Sequence, residues 1–545
     1  MHVMVATALR TSRIGRPLTE ASARRWIWPA SLAAAGLALF AAYLRQARTN
    51  PVMSDGASNS LQAWNMLHGN LLLHGWTLTD LSFYTIDLPE YMALELVHGL
   101  NPGTAHAAAA LTYTLVVLGT VLLAKGRATG AEGVVRAALA AVILLAPPLG
   151  ATTATLISDP DHTATLVPML VIWAVLDRAR PRWWVPVLVT TLLAWAQVAD
   201  PVVAYEGVLP IVAVCAFQLY RARGQTPWRL RESWYAVSLA GGSVLSVGIA
   251  ELALRLIQRS GGFVLTPLNT TFASVSSLSY HLAATTQSVL IVFGADFSGD
   301  QLGVHAGIAV LHLAGVALAA WATGRALRNF ADAELLVRIL AVAIVVLLVA
   351  YTTSGATIAV GGPHEIVGVL PAGAVLAGRL LAGQLMRRHQ FAFVAMLLAC
   401  VAVLLVHDSV QQPGRDANTR LVAWLQTHHL SYGLATYWNA SSVTVDSGGA
   451  IQVRPVNRNA HGRIAPIDRD SVRSWYAPRT HDASFLVVPR SYAGCSNGSR
   501  SQWLAAAGAD FGAPAASYRV GTLIVLVWPH NLLSHLARPL PVGVC

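Results

Sequence analysis

Apolar runs of about 17 to 22 residues recur along the first three quarters of the chain. They fall at roughly 26–43, 106–124, 134–150, 162–176, 183–199, 203–220, 234–254, 303–323, 335–353, 365–384 and 390–407. A helix rises about 1.5 Å per residue, so runs of this length match ~30 Å of hydrocarbon. The pattern predicts an all-α polytopic membrane body of about eleven transmembrane helices.

Two stretches break the pattern. Between the first and second runs, residues 51–105 mix polar and apolar positions. Leu61, Trp64, Leu67 and Leu71 recur at helical spacing, with Ser58, Gln62 and Asn65 opposite. This predicts a helix lying in the membrane interface, apolar side down, with Trp64 at headgroup depth. A second helix is expected from near Pro89, carrying Tyr91, Glu95 and His98. After residue 407 the texture changes to "LVAWLQTHH", "YGLATYW", "SVTVD", "AIQVRPV", "SFLVVP" and "GTLIVLVWP". Short β-rich runs with turn residues between them predict a small α/β domain. The chain thus divides into a tail (1–25), a transmembrane module (26–407, with 51–105 as its first external loop) and a C-terminal α/β domain (408–545).

Charge sets the expected orientation. Lys and Arg number 37 against 26 Asp and Glu, a net charge of +11. The basic residues cluster in alternate short loops: "KGR", "DRARPR", "RARGQTPWRLR", "GRALR" and "MRRH". Arg10, Arg13, Arg16, Arg24 and Arg25 precede the first run. Basic loops stay in the cytoplasm. The N-terminus is therefore expected inside and the C-terminal domain outside, in a bacterial cytoplasmic (inner) membrane. This explains the positive charge without nucleic acid. The first run lacks a small-x-small cleavage site and reads as a retained anchor. Cys215 and Cys400 fall in apolar runs, whereas Cys495 and Cys545 fall in the exported part, where a disulfide is open to them.

The loops on the other face carry acids instead. Asp55, Asp80, Asp87, Glu90 and Glu95 lie in the first, Asp159 and Asp161 in the second, Asp200 in the third and Glu365 in the fifth. Carboxylates at a bilayer edge are costly unless paired, solvated or functional. Asp55 directly follows the first run and suits an N-cap for the helix after it. In "SDPDHTAT", Asp159, Asp161 and His162 suit either a divalent cation, Mg or Mn, or a plain helix start. "VADPVVAYEG" places Asp200, Tyr205 and Glu206 at the next rim, with Arg255 as an expected partner for Glu206. His364 and Glu365 open the tenth run. The long polar stretch 258–303 reads as a gate or a re-entrant loop.

A cytoplasmic N-terminus, one helix, an aspartate directly after it and a large first external loop of two interfacial helices together resemble the GT-C class of membrane glycosyltransferases. That class includes protein mannosyltransferases, aminoarabinose transferases and arabinofuranosyltransferases. The resemblance runs from Trp26 to about His407, and "YGLATYWNASSVTV" is similar to the start of exported domains in its polyprenyl-sugar-dependent members. No "DE" pair stands at Asp55 and no "WWD" signature is present. The resemblance implies a polyprenyl-phosphate-linked sugar as donor and a cell-envelope hydroxyl as acceptor, with inversion. Asp55 would be the general base. Asp159, Asp161, His162, Asp200, Tyr205 and Glu206 are candidates to contact the substrate or acceptor or to support the site, and His364, Arg255 and Arg259 to hold the donor phosphate. Two other readings stay open: a transporter or flippase of a lipid-linked glycan, and a non-catalytic envelope scaffold. A transporter places acids or broken helices near the midplane. Here the acids sit at one rim.

Overall fold

The computed structural model describes residues 18–222, 230–267, 271–297, 303–355, 357–358, 362–387, 390–414, 417–489 and 498–538. Cys495 and Cys545 lie outside them. The helical body begins with α1 (Leu18–Ala47), α2 (Ser54–Leu67), α3 (Asp87–His98), α4 (Pro102–Lys125), α5 (Gly130–Leu144), α6 (Ala151–Leu156), α7 (Asp161–Arg178) and α8 (Trp184–Ala199). A π-turn (Ala204–Val208) leads into α9 (Leu209–Ala222), followed by α10 (Leu230–Arg259), α11 (Leu278–Phe293), α12 (Val304–Arg328), α13 (Leu335–Thr353), α14 (Val369–Arg387) and α15 (Phe391–Ser409). Helical structure stands at every one of the predicted apolar runs. Among the described residues, seven helical stretches are long and apolar enough by themselves to cross a membrane. The body is that of a multi-pass membrane protein.

Two departures from the expected spans have local causes. The run 134–150 stops being helical at Leu144, because Pro147 and Pro148 cannot continue the ladder. The carbonyls left over at this buried end are taken by tyrosines. Tyr113 donates to Leu144 O and Tyr43 to Leu145 O, each at 2.8 Å. The second departure lies in the long stretch 258–303, which contains a helix, α11. Its start is tied to the end of α13 through the Phe272–Ser354 bridge. Its end rests on α6, where Thr152 donates to Ile291 O at 2.7 Å. Gly294, just beyond, lies against Pro148 and His312. His312 stands about 12 Å along α12 from its first residue, by helical rise. The end of α11 therefore lies inside the body, away from the face that carries α2, here called the site face.

The interfacial helix turns out differently. The buried side of α2 is its small polar side: Ser54, Ser58 and Gln62 are enclosed, while Leu61 and Trp64 are half-buried and Leu71 is exposed. The enclosing element belongs to the C-terminal part. Ser54 donates to Tyr437 O at 2.7 Å, and Ser58 and Ser441 share a hydrogen bond at 3.1 Å. Small residues let two helices approach closely, and their hydroxyls then find partners in each other. Amphipathicity had suggested water on that side; the sheet domain covers it.

That domain adds α16 (Ala417–Thr427), β3 (Tyr432–Thr436), α17 (Tyr437–Asp446), β4 (Gln452–Arg458), β5 (Ile464–Pro466), β6 (Ser471–Val472), β7 (Phe485–Pro489), α18 (Arg500–Phe511), β8 (Ala516–Val520) and β9 (Leu523–Val527). Its sheet runs β5-β4-β3-β7-β9-β8, parallel at β4-β3-β7 and antiparallel elsewhere. Alternation along β7 splits the core. Phe485 and Val487 pack with Leu421, Leu425 and Val443, and Leu486 and Val488 with Trp503 and Trp528. "SVTVD", read as β-rich, is the end of α17, because the parallel β3–β4 pair needs a crossover.

A second, three-stranded sheet joins the parts. β1 (Trp76–Leu78) in the first loop pairs in parallel with β2 (Val264–Leu265) after α10, and antiparallel with β6. This small sheet sets Asp470, at the head of β6, beside Thr79, whose backbone N–H it accepts.

Candidate active site

Asp55 sits in the first turn of α2 but does not cap it. Met53 is the N-cap residue, and its side chain makes no cap hydrogen bond. The Asp55 carboxylate instead accepts a hydrogen bond from the Tyr437 hydroxyl, which is also 2.9 Å from Asp470 Oδ2. Desolvation raises the Asp55 carboxyl above its ordinary range. The Tyr437 hydroxyl, the Arg469 guanidinium and His364 pull it back, while Asp161 pushes it up. Gly56 brings these groups close. A Cβ there would lie 2.9 Å from Asp159 Cβ, so any larger residue would push α2 off the 157–160 turn. Asp159 is buried under α2 and accepts the Gly56 N–H. Its own carboxyl is raised by that burial and by Asp161 and Asp55.

Asp161, His162 and His364 form a cluster whose ligand atoms lie within 4.8 Å of one another. Asp161 Oδ2 is 3.9 Å from His364 Nε2, and the two imidazoles stack at 5.2 Å. His162 Nδ1 is 2.7 Å from Asp200 Oδ2, which leaves Nε2 facing away from that carboxylate. Asp200 is fully buried, and its second oxygen accepts the Val202 N–H at 2.9 Å. It therefore both caps the Pro201 turn and orients an imidazole. The expected metal set changes by one residue: His364 takes the place of Asp159, which is occupied under α2. Two nitrogens and one oxygen suit Mn or Zn better than Mg, a hard cation that favours oxygen.

The other predicted residues separate. The π-turn points Glu206 inward, 1% exposed against Gly368, and leaves Tyr205 43% exposed on the outside. Arg255 does not meet Glu206. It pairs with Glu251 at 2.8 Å, one turn back on the exposed side of α10. It lines a cavity of about 450 Å³ with Asp80, Ser82, Gln197, Gln258 and Thr266, between α8, α10 and the first loop. Arg259 is exposed beyond that lining, so His364, Arg255 and Arg259 do not converge. The cation beside Asp55 is Arg469, whose Nε is buried without a hydrogen-bond partner. Its charge is favoured by Tyr437, Asp470, Asp55 and Asp80, against the cost of desolvation. Tyr437, Arg469 and Asp470 were not among the sequence candidates. The signal for them was "DRD" at 468–470, an acid-base-acid turn that reads as an ordinary loop. Asp161 and Asp470 both hold left-handed backbone, at φ 41° and 45°, a conformation that concentrates at functional sites.

Acids on α3 reach its two helical neighbours, α2 and α4. Glu95 accepts from Ser60 at 2.6 Å and Glu90 from Thr112 at 2.7 Å. Burial raises Glu95 to about 8 and Glu90 to about 7. A carboxyl with a raised folded-state value gives its full stability below the ordinary value, and the protein loses it as pH climbs to the raised one. Glu95→Gln, which cannot ionise, should match the wild type near pH 4. It should then melt progressively higher than the wild type up to about pH 8, by on the order of 1 to 3 °C. Parallel thermal melts across that range test it; a constant gap would mean Glu95 is already ionised in the fold.

No protein-family model matches the chain, and no curated protein matches it. Solved structures do. ArnT from Cupriavidus metallidurans in the apo state aligns over 95% of this chain and 99% of its own, at 15% identity and TM-score 0.53. The same protein bound to undecaprenyl phosphate aligns over 92% and 98%, at 14% identity and TM-score 0.52. ArnT is an aminoarabinose transferase of the GT-C class. The chain has a GT-C fold. An Archaeoglobus fulgidus oligosaccharyltransferase in complex with Zn and sulfate aligns more loosely, at 12% identity and TM-score 0.49, over 84% of this chain and 67% of its own. The GT-C fold accounts for both halves of the layout, the helical body and the domain seated on its first loop.

Proposed function

We propose that the protein is a membrane glycosyltransferase that moves a sugar from a polyprenyl-phosphate donor to an envelope hydroxyl. The observation that carries this reading is the position of Asp55. Its carboxylate lies where the first loop, the start of α7, the His364 turn and the sheet domain meet, with Arg469 beside it. ArnT, of the same fold, has been solved with undecaprenyl phosphate. In this reading the acceptor hydroxyl approaches Asp55, which removes its proton as the oxygen attacks the anomeric carbon. The polyprenyl phosphate departs from the opposite face, so configuration inverts. General-base help of this kind contributes about 10²–10⁴-fold. The departing phosphate gains negative charge, and in this reading Arg469, the cation beside Asp55, meets it.

Asp161, His162 and His364 would hold a divalent cation, which supplies positive charge beside the phosphate. Asp200 fixes His162 with Nε2 free to bind. Asp159 holds the start of α2 through the Gly56 N–H. With eleven crossings, a re-entrant α11 and a cytoplasmic N-terminus, the site face and sheet domain lie outside the cytoplasmic membrane of a bacterium, where lipid-linked sugars meet envelope acceptors. A transporter reading gains nothing from this geometry, since the convergent acids sit at one face.

The test is direct. The purified protein in lipid nanodiscs should bind undecaprenyl phosphate. Presented with undecaprenyl-phosphate-linked sugars and an envelope extract, it should release undecaprenyl phosphate as the sugar is transferred. Retention of every labelled donor, together with no protection by undecaprenyl phosphate in thermal melts, would remove the transferase reading.

A further inference from the structure

One hydroxyl in the site faces two carboxylates. Tyr437 donates to Asp55 Oδ1 and lies 2.9 Å from Asp470 Oδ2. A phenol carries one proton, so it donates to one of them at a time. With both carboxylates ionised, the second contact would oppose a phenolic lone pair and an anionic oxygen in a desolvated place, at considerable cost. All three groups are satisfied only when they share one extra proton. Asp470 is then a neutral acid donating to Tyr437, and the Tyr437 proton points at an ionised Asp55.

We propose that Tyr437 and Asp470, both from the sheet domain, form a proton path that holds Asp55 in its basic form and takes the acceptor's proton away after each transfer. This rests on the reading of Asp55 as the base. The groups facing the path are few. Asp470 meets Tyr437, the Thr79 N–H and Arg469, whose Nε is 4.0 Å away. Asp55 feels Tyr437, Arg469, Asp161 and His364, with Asp159 below it, and Asp80 lies beyond Arg469. Burial brings the Asp470 carboxyl up to about 7, against the lowering pull of Arg469. It is a group that can hold or release a proton at neutral pH. The strand pair β1–β6 and the left-handed backbone at Asp470 fix its carboxylate on the tyrosine.

The steps balance. The acceptor O–H gives its proton to Asp55 while its oxygen bonds to the anomeric carbon. The bond from that carbon to the donor phosphate breaks, and its electron pair leaves on the phosphate. Asp470 releases its proton to water. Asp55 then passes its proton to the Tyr437 oxygen as Tyr437 passes its own to Asp470. One proton leaves the acceptor and one reaches water, and no other reactant is needed.

Infrared difference spectroscopy of the full-length protein, without substrate, reads the shared proton directly. Wild type minus Asp470→Asn should show a protonated-carboxyl band at pH 6 that fades with a midpoint near 7. In Tyr437→Phe, where the ring still packs but the hydroxyl is gone, that midpoint should move by about one unit or more. In transfer assays, Asp470→Asn should lose on the order of tenfold in steady-state kcat, a larger loss than in its first turnover. It should also lose the pH dependence near neutrality, whereas Tyr437→Phe should slow both phases. An Asp470 carboxyl ionised throughout pH 5 to 8, or a band that Tyr437→Phe leaves in place, overturns the path. A band that behaves as expected in a protein with no transferase activity keeps the shared proton and rejects the role of Asp55. Transfer that depends on Asp55 but shows no such band rejects the path alone.

Discussion

The Asp55→Asn protein should fold, bind undecaprenyl phosphate as the wild type does, and transfer sugar at least about 100-fold more slowly. Asparagine keeps the shape of the side chain and an oxygen that can accept from Tyr437, but it cannot take a proton. Because Asp55 bonds no free N–H of α2, the substitution leaves the helix start as it was. The loss of a negative charge in the first turn costs the helix dipole only about 0.3–1 kcal/mol, and relief from desolvation works the other way. Stability should therefore change little while turnover collapses. A purely structural Asp55 would give the opposite pair of results: near-normal transfer by Asp55→Asn, and lowered melting in Asp55→Ala. Steady-state transfer and thermal melts on both variants separate the two. An active Asp55→Asn protein would send the search for the base to Asp161.

The membrane body was legible because a helix in hydrocarbon must satisfy its backbone internally, which forces long apolar runs. Each run has its helix. Asp55 was legible for a related reason, as an acid placed directly after the first run. The errors have one cause. Periodicity reports which side of an element is polar, not what lies on it. Ser58 and Gln62 looked solvent-facing, yet α17 covers that side, some 380 residues away in sequence. The same distance hid Tyr437, Arg469 and Asp470. Their chemistry comes from docking the sheet domain on the first loop through β1 and β6, strands of three and two residues, too short to show a pattern. Standing two apart, Asp159 and Asp161 read together, as a cation pair with His162 or as a plain helix start. In the fold they diverge, Asp159 under Gly56 and Asp161 toward His364, because the backbone turns left-handed at Asp161. Arg255 was expected beside Glu206, but α10 keeps its cations on an exposed side, where Glu251 meets Arg255.

The cluster of Asp161, His162 and His364 carries the second large expectation. Asp200→Asn should weaken Mn or Zn binding by about 10- to 100-fold, the usual effect of losing a carboxylate behind a histidine ligand. The reason is the tautomer. In the neutral ring that a metal needs, Asp200 Oδ2, 2.7 Å from His162 Nδ1, accepts its N–H and leaves Nε2 with a free lone pair. In Asp200→Asn the amide oxygen can still accept the Val202 N–H, so the Pro201 turn survives. The amide N–H then faces Nδ1, which must become the acceptor, and the ring proton moves to Nε2, where it blocks a metal ligand. The fold stays and the ligand is lost. His162→Ala and His364→Ala should each weaken binding at least as much, by removing a donor atom outright. Titration calorimetry with Mn and with Zn on the four proteins measures this, with thermal melts as the control for folding. If Asp200→Asn binds as tightly as the wild type while His162→Ala does not, the imidazole is held by its stacking on His364 and not by Asp200. If none of the substitutions changes binding, the three side chains are not a cation site, and the stack and its carboxylates serve to hold the start of α7 against the turn at 363–366.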